Sequence, residues 1–297
     1  MFIKYDVNSY SPILPDGKEV ITVSTDSKKF DELLDGGLMT GDFYLIQACS
    51  GAGKTTLCER LMLRTIIAEQ KAAYISMGEQ KPEVLYEKLM CMDRRKRYND
   101  YRVATSEERK EYYDKVMNSN FGKNLKDKIQ YYYTRDPFTR YRLSDDSKKT
   151  TCDATEIFKD IINENIRFVF VDYVGASTDE GERARTELKK FCDKLSYLAE
   201  EYSLCVVGAI QTNRKYDEEE SKGELNPAVV NASYVADSIN TVRKATCCIS
   251  FIRKQGSSEA YLNVYKSRNG NTGLIKVYIE PYSYRWSDEP LKPFEEI

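Results

Sequence analysis

The sequence predicts an α/β fold: a mostly parallel central sheet with helices on both faces, and antiparallel strands near the C-terminus. Three observations predict it. Short apolar runs rich in β-branched and aromatic residues begin near 43, 72, 166, 204 and 246, and helical spacing fills much of the chain between them. The first run passes through a loop of small residues into a helix. Lys54, Glu79, Asp172 and Gln211 each follow or close one of these runs, where such sheets bind ligands.

The elements follow in order. Residues 1–24, with Pro12, Pro15 and Gly17, read as an irregular arm with a short strand at 19–23. Ser24 or Thr25 is placed to cap a helix carrying Phe30, Leu33 and Leu34, which Gly36 and Gly37 stop. The strand at 43–46 leads to the loop 50–53 and a helix from Lys54 to about Gln70. A second strand at 72–77 precedes a helix starting near Pro82, a residue suited to a first turn.

Residues 93–150 are polar and tyrosine-rich, and predict two helices with a strand-like piece at 129–134. The basic run Arg94–Arg97, followed at once by acidic residues, reads as solvated surface. Asp153 or Thr155 opens a helix with Ile157, Ile161 and Ile162, leading to a buried strand at 166–173. An amphipathic helix spans 182–202, with Leu188, Phe191, Leu195 and Leu198 inward. The strand 204–210 ends at Gln211, and 215–223 reads as a mobile hydrophilic loop. A strand at 246–252 and an alternating pair at 260–266 and 274–279 complete the sheet. The segment after Tyr284 reads as irregular. The domain expectation is an arm (1–24), one domain (25–285) and a tail (286–297).

The strand–loop–helix at 43–56 has the form of a phosphate loop. The small residues Ser50, Gly51, Ala52 and Gly53 let backbone N–H groups close around a polyphosphate, and the helix N-terminus adds donors and a positive end. Lys54 would reach the β and γ phosphates, with Thr55 on Mg²⁺ and Thr56 beside it. Ala48 stands where the usual pattern has its first glycine. Asp172, at a strand end, would hold Mg²⁺ directly or through water. Glu79 is the expected base for an attacking water, and Gln211 the group that senses the γ phosphate. ATP and Mg²⁺ are the expected cofactors.

Composition narrows the classes. The chain of 297 residues has 45 basic and 47 acidic side chains and a net charge of −2, which excludes a globally basic coating protein. It has no histidine, so triad and histidine acid–base chemistry are excluded. Its 8 cysteines lack Cys-x-x-Cys spacing and read as buried thiols rather than a zinc site. Neither a signal segment nor an apolar run near membrane-spanning length is present, so the expected location is the cytoplasm.

Several motifs together resemble one family. GGLMTGDFYLIQACSGAGKTT (36–56), including its alanine, resembles the start of the RecA-like ATPase domain of DnaB-type replicative helicases. YISMGEQ (74–80), VDY (171–173), AIQTNR (209–214) and KSRNGNTG (266–273) resemble its later motifs in order. The DYVG (172–175) and QTNR (211–214) segments look most like those of tailed-phage replicative helicases. The resemblance covers about residues 22–285. It implies an ATP-driven helicase or translocase that forms a ring, usually a hexamer, on single-stranded DNA, with a primase or loader as possible partners. It implies that Lys266 and Arg268 reach a neighbour's nucleotide and that Arg214, Lys215 and Lys222 meet DNA.

Two departures stand out. The family's glutamate position is Gly78 here, so Glu79 is one residue late; either the turn holds an inserted residue or hydrolysis is weak. Only about 24 residues precede the ATPase domain, where the family carries a helical collar, so the collar would be lacking or supplied by a partner, or the assembly would differ. Two other readings stay open: a RecA-type ATPase for recombination, repair or loading that does not unwind, and an ATP-gated assembly protein without motor activity.

Overall fold

The computed structural model describes residues 19–77, 80–94, 96–133, 154–175, 182–235, 239–254, 256–280 and 286–290. In chain order, β1 (Thr22–Val23), α1 (Lys28–Leu33) and β2 (Leu38–Met39) lead to β3 (Phe43–Ala48) and α2 (Lys54–Ile67). β4 (Ala72–Ser76) and α3 (Pro82–Asp93) follow, then α4 (Tyr98–Val103), α5 (Ser106–Met117), α6 (Asn120–Lys128) and β5 (Ile129–Tyr133). After them come α7 (Ala154–Asn163), β6 (Phe168–Asp172), α8 (Glu182–Glu201), β7 (Cys205–Gln211) and α9 (Arg214–Lys222). The chain then forms α10 (Ile239–Lys244), β8 (Cys247–Ile252), β9 (Glu259–Ser267), β10 (Gly273–Ile279) and β11 (Trp286–Ser287).

The main sheet runs in the order β11-β10-β9-β8-β3-β7-β6-β4-β5. The six strands from β8 to β5 are parallel, and β9, β10 and β11 add antiparallel pairs. The predicted fold class and the pairing of the two late alternating runs therefore hold. Alternation builds two cores. Tyr44, Ile46, Phe168 and Phe170 face the side packed by α2, α3 and α6. Phe43, Leu45, Val169 and Val171 face the side packed by α7, α8 and α10. The predicted inward residues of α8, Leu188, Phe191, Leu195 and Leu198, are all buried there.

Several local expectations are corrected. The cap of α1 is Ser27, which accepts from the Phe30 N–H; the Thr25 hydroxyl bonds Asp31 instead. The polar region after residue 93 makes three short helices rather than two, because Thr105 and Ser119 each cap a fresh start. The segment 215–223 is a helix, not a loop. Its buried Tyr216 packs edge-on against Tyr234, and Gly223, at φ 71°, stops it in the left-handed region.

Residues 286 and 287, expected to be irregular, form β11. Trp286–Ser287 pairs with β10, and Trp286 is buried edge-on against Phe30 at 5.7 Å. Its indole N–H donates to the Thr25 carbonyl at 3.0 Å, and Ser27 bonds Asp288. Two distant segments are thus stapled together. No described helix is long and apolar enough to cross a membrane. The seven described cysteines are free and buried.

Replacing Trp286 with alanine removes the largest side chain of this staple. The expected loss is about 3–5 kcal/mol of unfolding free energy, read as a shift of the guanidinium midpoint at constant slope. A loss below about 1 kcal/mol would mean that the staple is loosely held.

Candidate nucleotide site

The loop from Cys49 to Gly53 leaves the end of β3 and enters α2. Gly51 (φ 78°) and Gly53 (φ 104°) hold backbone conformations that other residues adopt only with strain. Gly53 caps α2 and offers no side-chain bond, so the first N–H groups of the helix are left for an anion. Lys54 and Thr55 are half-buried in the first turn. Ser50 is exposed and Ala52 is buried under the loop, while Thr56 joins Gly53, Leu57, Phe251 and Arg253 in lining a cleft beside it.

Strand register brings two further predicted positions, Asp172 and Gln211, to the same sheet end. Ala48 pairs with Gln211, Asp172 with Ala209, and Ser76 with Asp172. Gln211 is exposed, and the next residue, Thr212, bonds back to the Ala48 carbonyl at 3.1 Å. Asp172 is 1% exposed. Its Oδ2 accepts from the Tyr74 hydroxyl at 2.8 Å, while Oδ1 is buried without a partner. Burial, and then the Asp172 charge, pushes the Tyr74 phenol far above its usual range, so it stays a donor.

A buried carboxylate oxygen with no bond is costly. Asp172 Oδ1, at the same sheet end as the loop 50–53 with β7 between their strands, is suited to a divalent cation or its water shell, to which the first turn of α2 would add the Thr55 hydroxyl. The residues present therefore fit a nucleotide–Mg²⁺ group. Among the described residues no set of three or more His, Cys, Asp or Glu side chains is placed to hold a metal on its own.

Gly78 and Glu79 lie outside the described residues. Gln80, next in the chain, is described and belongs to a buried polar cluster that the sequence reading missed. Glu59 is wholly buried, and its Oε1 accepts from Gln80 at 2.8 Å and from Lys88 at 2.9 Å. The signal was present in α2: a carboxylate among Leu57, Cys58, Leu61 and Met62, on the inward face.

Lys266 and Arg268 do not join Lys54. Lys266 pairs with Cys248 and Ser267 with Cys247, which lies beside Tyr44 at the start of β3. The pair thus stands at the opposite end of the sheet, about 13 Å or more away along the strands. Lys266 donates to the carbonyls of Val242, Arg243 and Ala245 and closes the C-terminal end of α10. Burial lowers its ammonium below the usual range. Arg268 is exposed, touches the Arg243 carbonyl at 3.5 Å and lies 3.9 Å from Glu200.

The three expected DNA contacts lie on α9. Arg214 opens the helix, its side chain outside the described parts; Lys215 is exposed over the Tyr234 ring at 4.4 Å and 3.8 Å from Glu219; Lys222 is exposed in the last turn. Tyr216, inward on the same helix, lies against Cys49 of the phosphate loop. A helix, rather than a free loop, therefore connects the Gln211 strand end to these cations.

The family model for the DnaB-like helicase C terminal domain matches residues 22–288. Among solved structures, a DnaB-like replicative helicase described with its interactions with primase superposes with a TM-score of 0.70 at 14% identity. That match covers 92% of this chain and 62% of the other, so this chain spans about three fifths of that protein. A second solved structure, described as an ATPase domain, superposes with a TM-score of 0.64 at 13% identity, covering 92% of each chain. At these identities the structural likeness speaks for the fold alone. No curated protein matches the chain by sequence.

Substituting Lys54 with alanine removes the cation of the first helical turn. Affinity for a non-hydrolysable ATP analogue is expected to fall about 10- to 100-fold by calorimetry, with the melting temperature held. Unchanged affinity would remove Lys54 from the site.

Proposed function

Because this chain belongs to the DnaB-like helicase C-terminal domain family, we propose that it is the ATP-hydrolysing motor of a replicative DNA helicase. It assembles as a ring, taken as a hexamer, on single-stranded DNA and couples hydrolysis to strand movement. The observation that carries this reading is the separation of Lys266 and Arg268 from the phosphate loop of their own chain. Cations with this family spacing that cannot serve their own nucleotide are suited to a neighbour's.

The proposed roles join the site geometry to the family motifs. The loop 50–53, Lys54 and Thr56 bind and orient the triphosphate. Thr55 and Asp172 would hold Mg²⁺, which when bound would neutralise charge on the triphosphate. Glu79 takes the proton of the attacking water. Gln211 contacts the γ-phosphate side, and the same chain segment continues into α9, so its loss is felt by Arg214, Lys215 and Lys222. Arg268 stabilises charge developing on the neighbour's transferred phosphoryl group, while Lys266, bonded to the end of α10, holds the strand that carries it. The primase interaction belongs to the similar replicative helicase; a primase or loader is a proposed partner here.

One feature favours a second reading. α9 carries Asp217, Glu218, Glu219 and Glu220, and Lys215 is engaged with Glu219. An acidic helix at the expected channel suits an ATP-gated assembly protein without motor activity.

The test is ATP hydrolysis with and without single-stranded DNA, alongside oligomer mass. Wild type is expected to form ATP-dependent rings stimulated by DNA. Arg268→Ala is expected to keep the ring and lose about 10³-fold in rate. A mixture of inactive Arg268→Ala and inactive Lys54→Ala subunits should regain activity, since each supplies what the other lacks. No recovery in mixed rings would place the catalytic arginine elsewhere. Oligomers that hydrolyse ATP without any response to DNA would select the assembly reading, and open filaments on DNA the non-unwinding ATPase.

A further inference from the structure

The turn that carries Arg268 is held far more firmly than the Arg268 side chain. The guanidinium is exposed, 3.5 Å from the Arg243 carbonyl and 3.9 Å from Glu200. Its backbone is fixed. Just before it, Cys248 pairs with Lys266 while Ile249 pairs with Val264, so Tyr265 is an extra residue and the end of β9 bends at a bulge. The Arg268 N–H donates to the Thr246 carbonyl at 3.0 Å, and the Gly270 N–H to Ser267 Oγ at 2.8 Å. The Asn271 N–H donates to the carbonyl of Leu33, the last residue of α1, at 2.9 Å. A side chain at Gly270 would collide with that same carbonyl.

One contact in this set is costly. Asp42, the residue before β3, is 7% exposed. Its Oδ1 accepts from the Asn269 amide at 2.9 Å, and its Oδ2 from the Tyr44 hydroxyl at 3.2 Å. Both partners are neutral, so a carboxylate is taken out of water without a bonded cation. Burial raises the Asp42 carboxyl, opposed first by the bond from Asn269. The hairpin itself does not depend on that bond. β10 is joined to β9 by a ladder from Gly273–Val264 to Tyr278–Glu259, and β9 to β8 by another. What Asp42 adds is the place of the hairpin's tip against the start of β3.

We propose that Asp42 is a positioning residue for hydrolysis at a neighbouring subunit's nucleotide: through Asn269 it locks the turn from which Arg268 projects. The proposal rests on the reading of Arg268 as the arginine that serves a neighbour. An arginine acting across a subunit boundary gains most when its base is immobile and only its side chain is left to engage, because little freedom is then lost. A shift of about 1 Å at the base costs up to about a hundredfold in rate. Asp42 and the phosphate loop of its own chain stand at the two ends of β3, about 20 Å apart along the strand. Loosening Asp42 therefore spares the subunit's own nucleotide and slows hydrolysis of its neighbour's.

The test reads, in the full chain, kcat for DNA-stimulated hydrolysis, the Kd of a non-hydrolysable ATP analogue and the melting temperature. Asn269→Asp sets two carboxylates face to face and breaks the bond. Its kcat is expected to fall about 10- to 100-fold, with analogue affinity within about threefold of wild type. The deciding variant adds Asp42→Asn to it. Amide and carboxylate then exchange places, the bond is remade with reversed polarity, and kcat is expected to recover at least about tenfold over the single variant. If the new carboxylate acts only by capturing Arg268, the double variant stays as slow as the single, which overturns the proposal. Rings mixing Asn269→Asp with Lys54→Ala subunits should regain activity, since the first keeps a working nucleotide site of its own. Where the facing carboxylates unfold the single variant, Asn269→Ala takes its place. Loss of analogue affinity and melting temperature in step with kcat, with no recovery in mixed rings, would make Asp42 a support of the fold and overturn the proposal. Arg268→Ala is the separate control. If it is inactive while Asn269→Asp turns over like wild type, the positioning proposal fails and the role of Arg268 stands. If Arg268→Ala hydrolyses normally, that role fails and takes the proposal with it.

Discussion

The register of β3 between β7 and β8 is the constraint on which the rest depends. β3 is buried along its whole length and flanked by parallel strands on both sides, so it has no solvent face to spare. A slip by one residue would exchange Tyr44 and Ile46 for Phe43 and Leu45 between two separately packed cores. With the register fixed, polar chemistry can emerge only where strands end. That is why the phosphate loop, Asp172 and Gln211 share one end of the sheet.

The same geometry separates Lys54 from Lys266 and Arg268. Lys54 is delivered by a parallel strand to the carboxyl end of the sheet. Lys266 and Arg268 ride on an antiparallel strand, which returns them to the other end. A single change of strand direction, from β8 to β9, keeps Lys266 and the phosphate-loop end of β3 at opposite ends of the sheet. Lys266 also commits its hydrogen bonds to the end of α10, so a basic residue read as ligand-facing is already part of the scaffold.

The parts legible in the sequence were those written in contiguous residues. The strands at 43, 72, 166, 204 and 246 are unbroken apolar runs because parallel strands are covered on both faces, and α8 shows its inward stripe directly. α9 was illegible because nearly all of it is polar; a single buried tyrosine and a terminal glycine make it a helix. The staple at Trp286 and the Glu59–Gln80–Lys88 cluster were illegible for another reason. Each depends on partners far apart in the chain, Glu59 and Lys88 being 29 residues apart and Trp286 and Thr25 261 apart. Local patterns carry no record of such pairs. The position of Asp172 was readable, but its hydrogen bond from Tyr74, 98 residues earlier, was not.

The Trp286 staple also sets a timetable for synthesis. Phe30 leaves the ribosome among the first residues of this unit, yet the ring that covers it arrives 256 residues later, the difference between positions 286 and 30. At about 5–20 residues per second the wait is on the order of 10 to 50 seconds. During that interval the nascent chain carries an uncovered aromatic near its start, beside a strand pair, β1 and β2, of only two residues each. The first helix is therefore among the last parts of the unit to be secured, and its uncovered face is the one that a holding chaperone would meet.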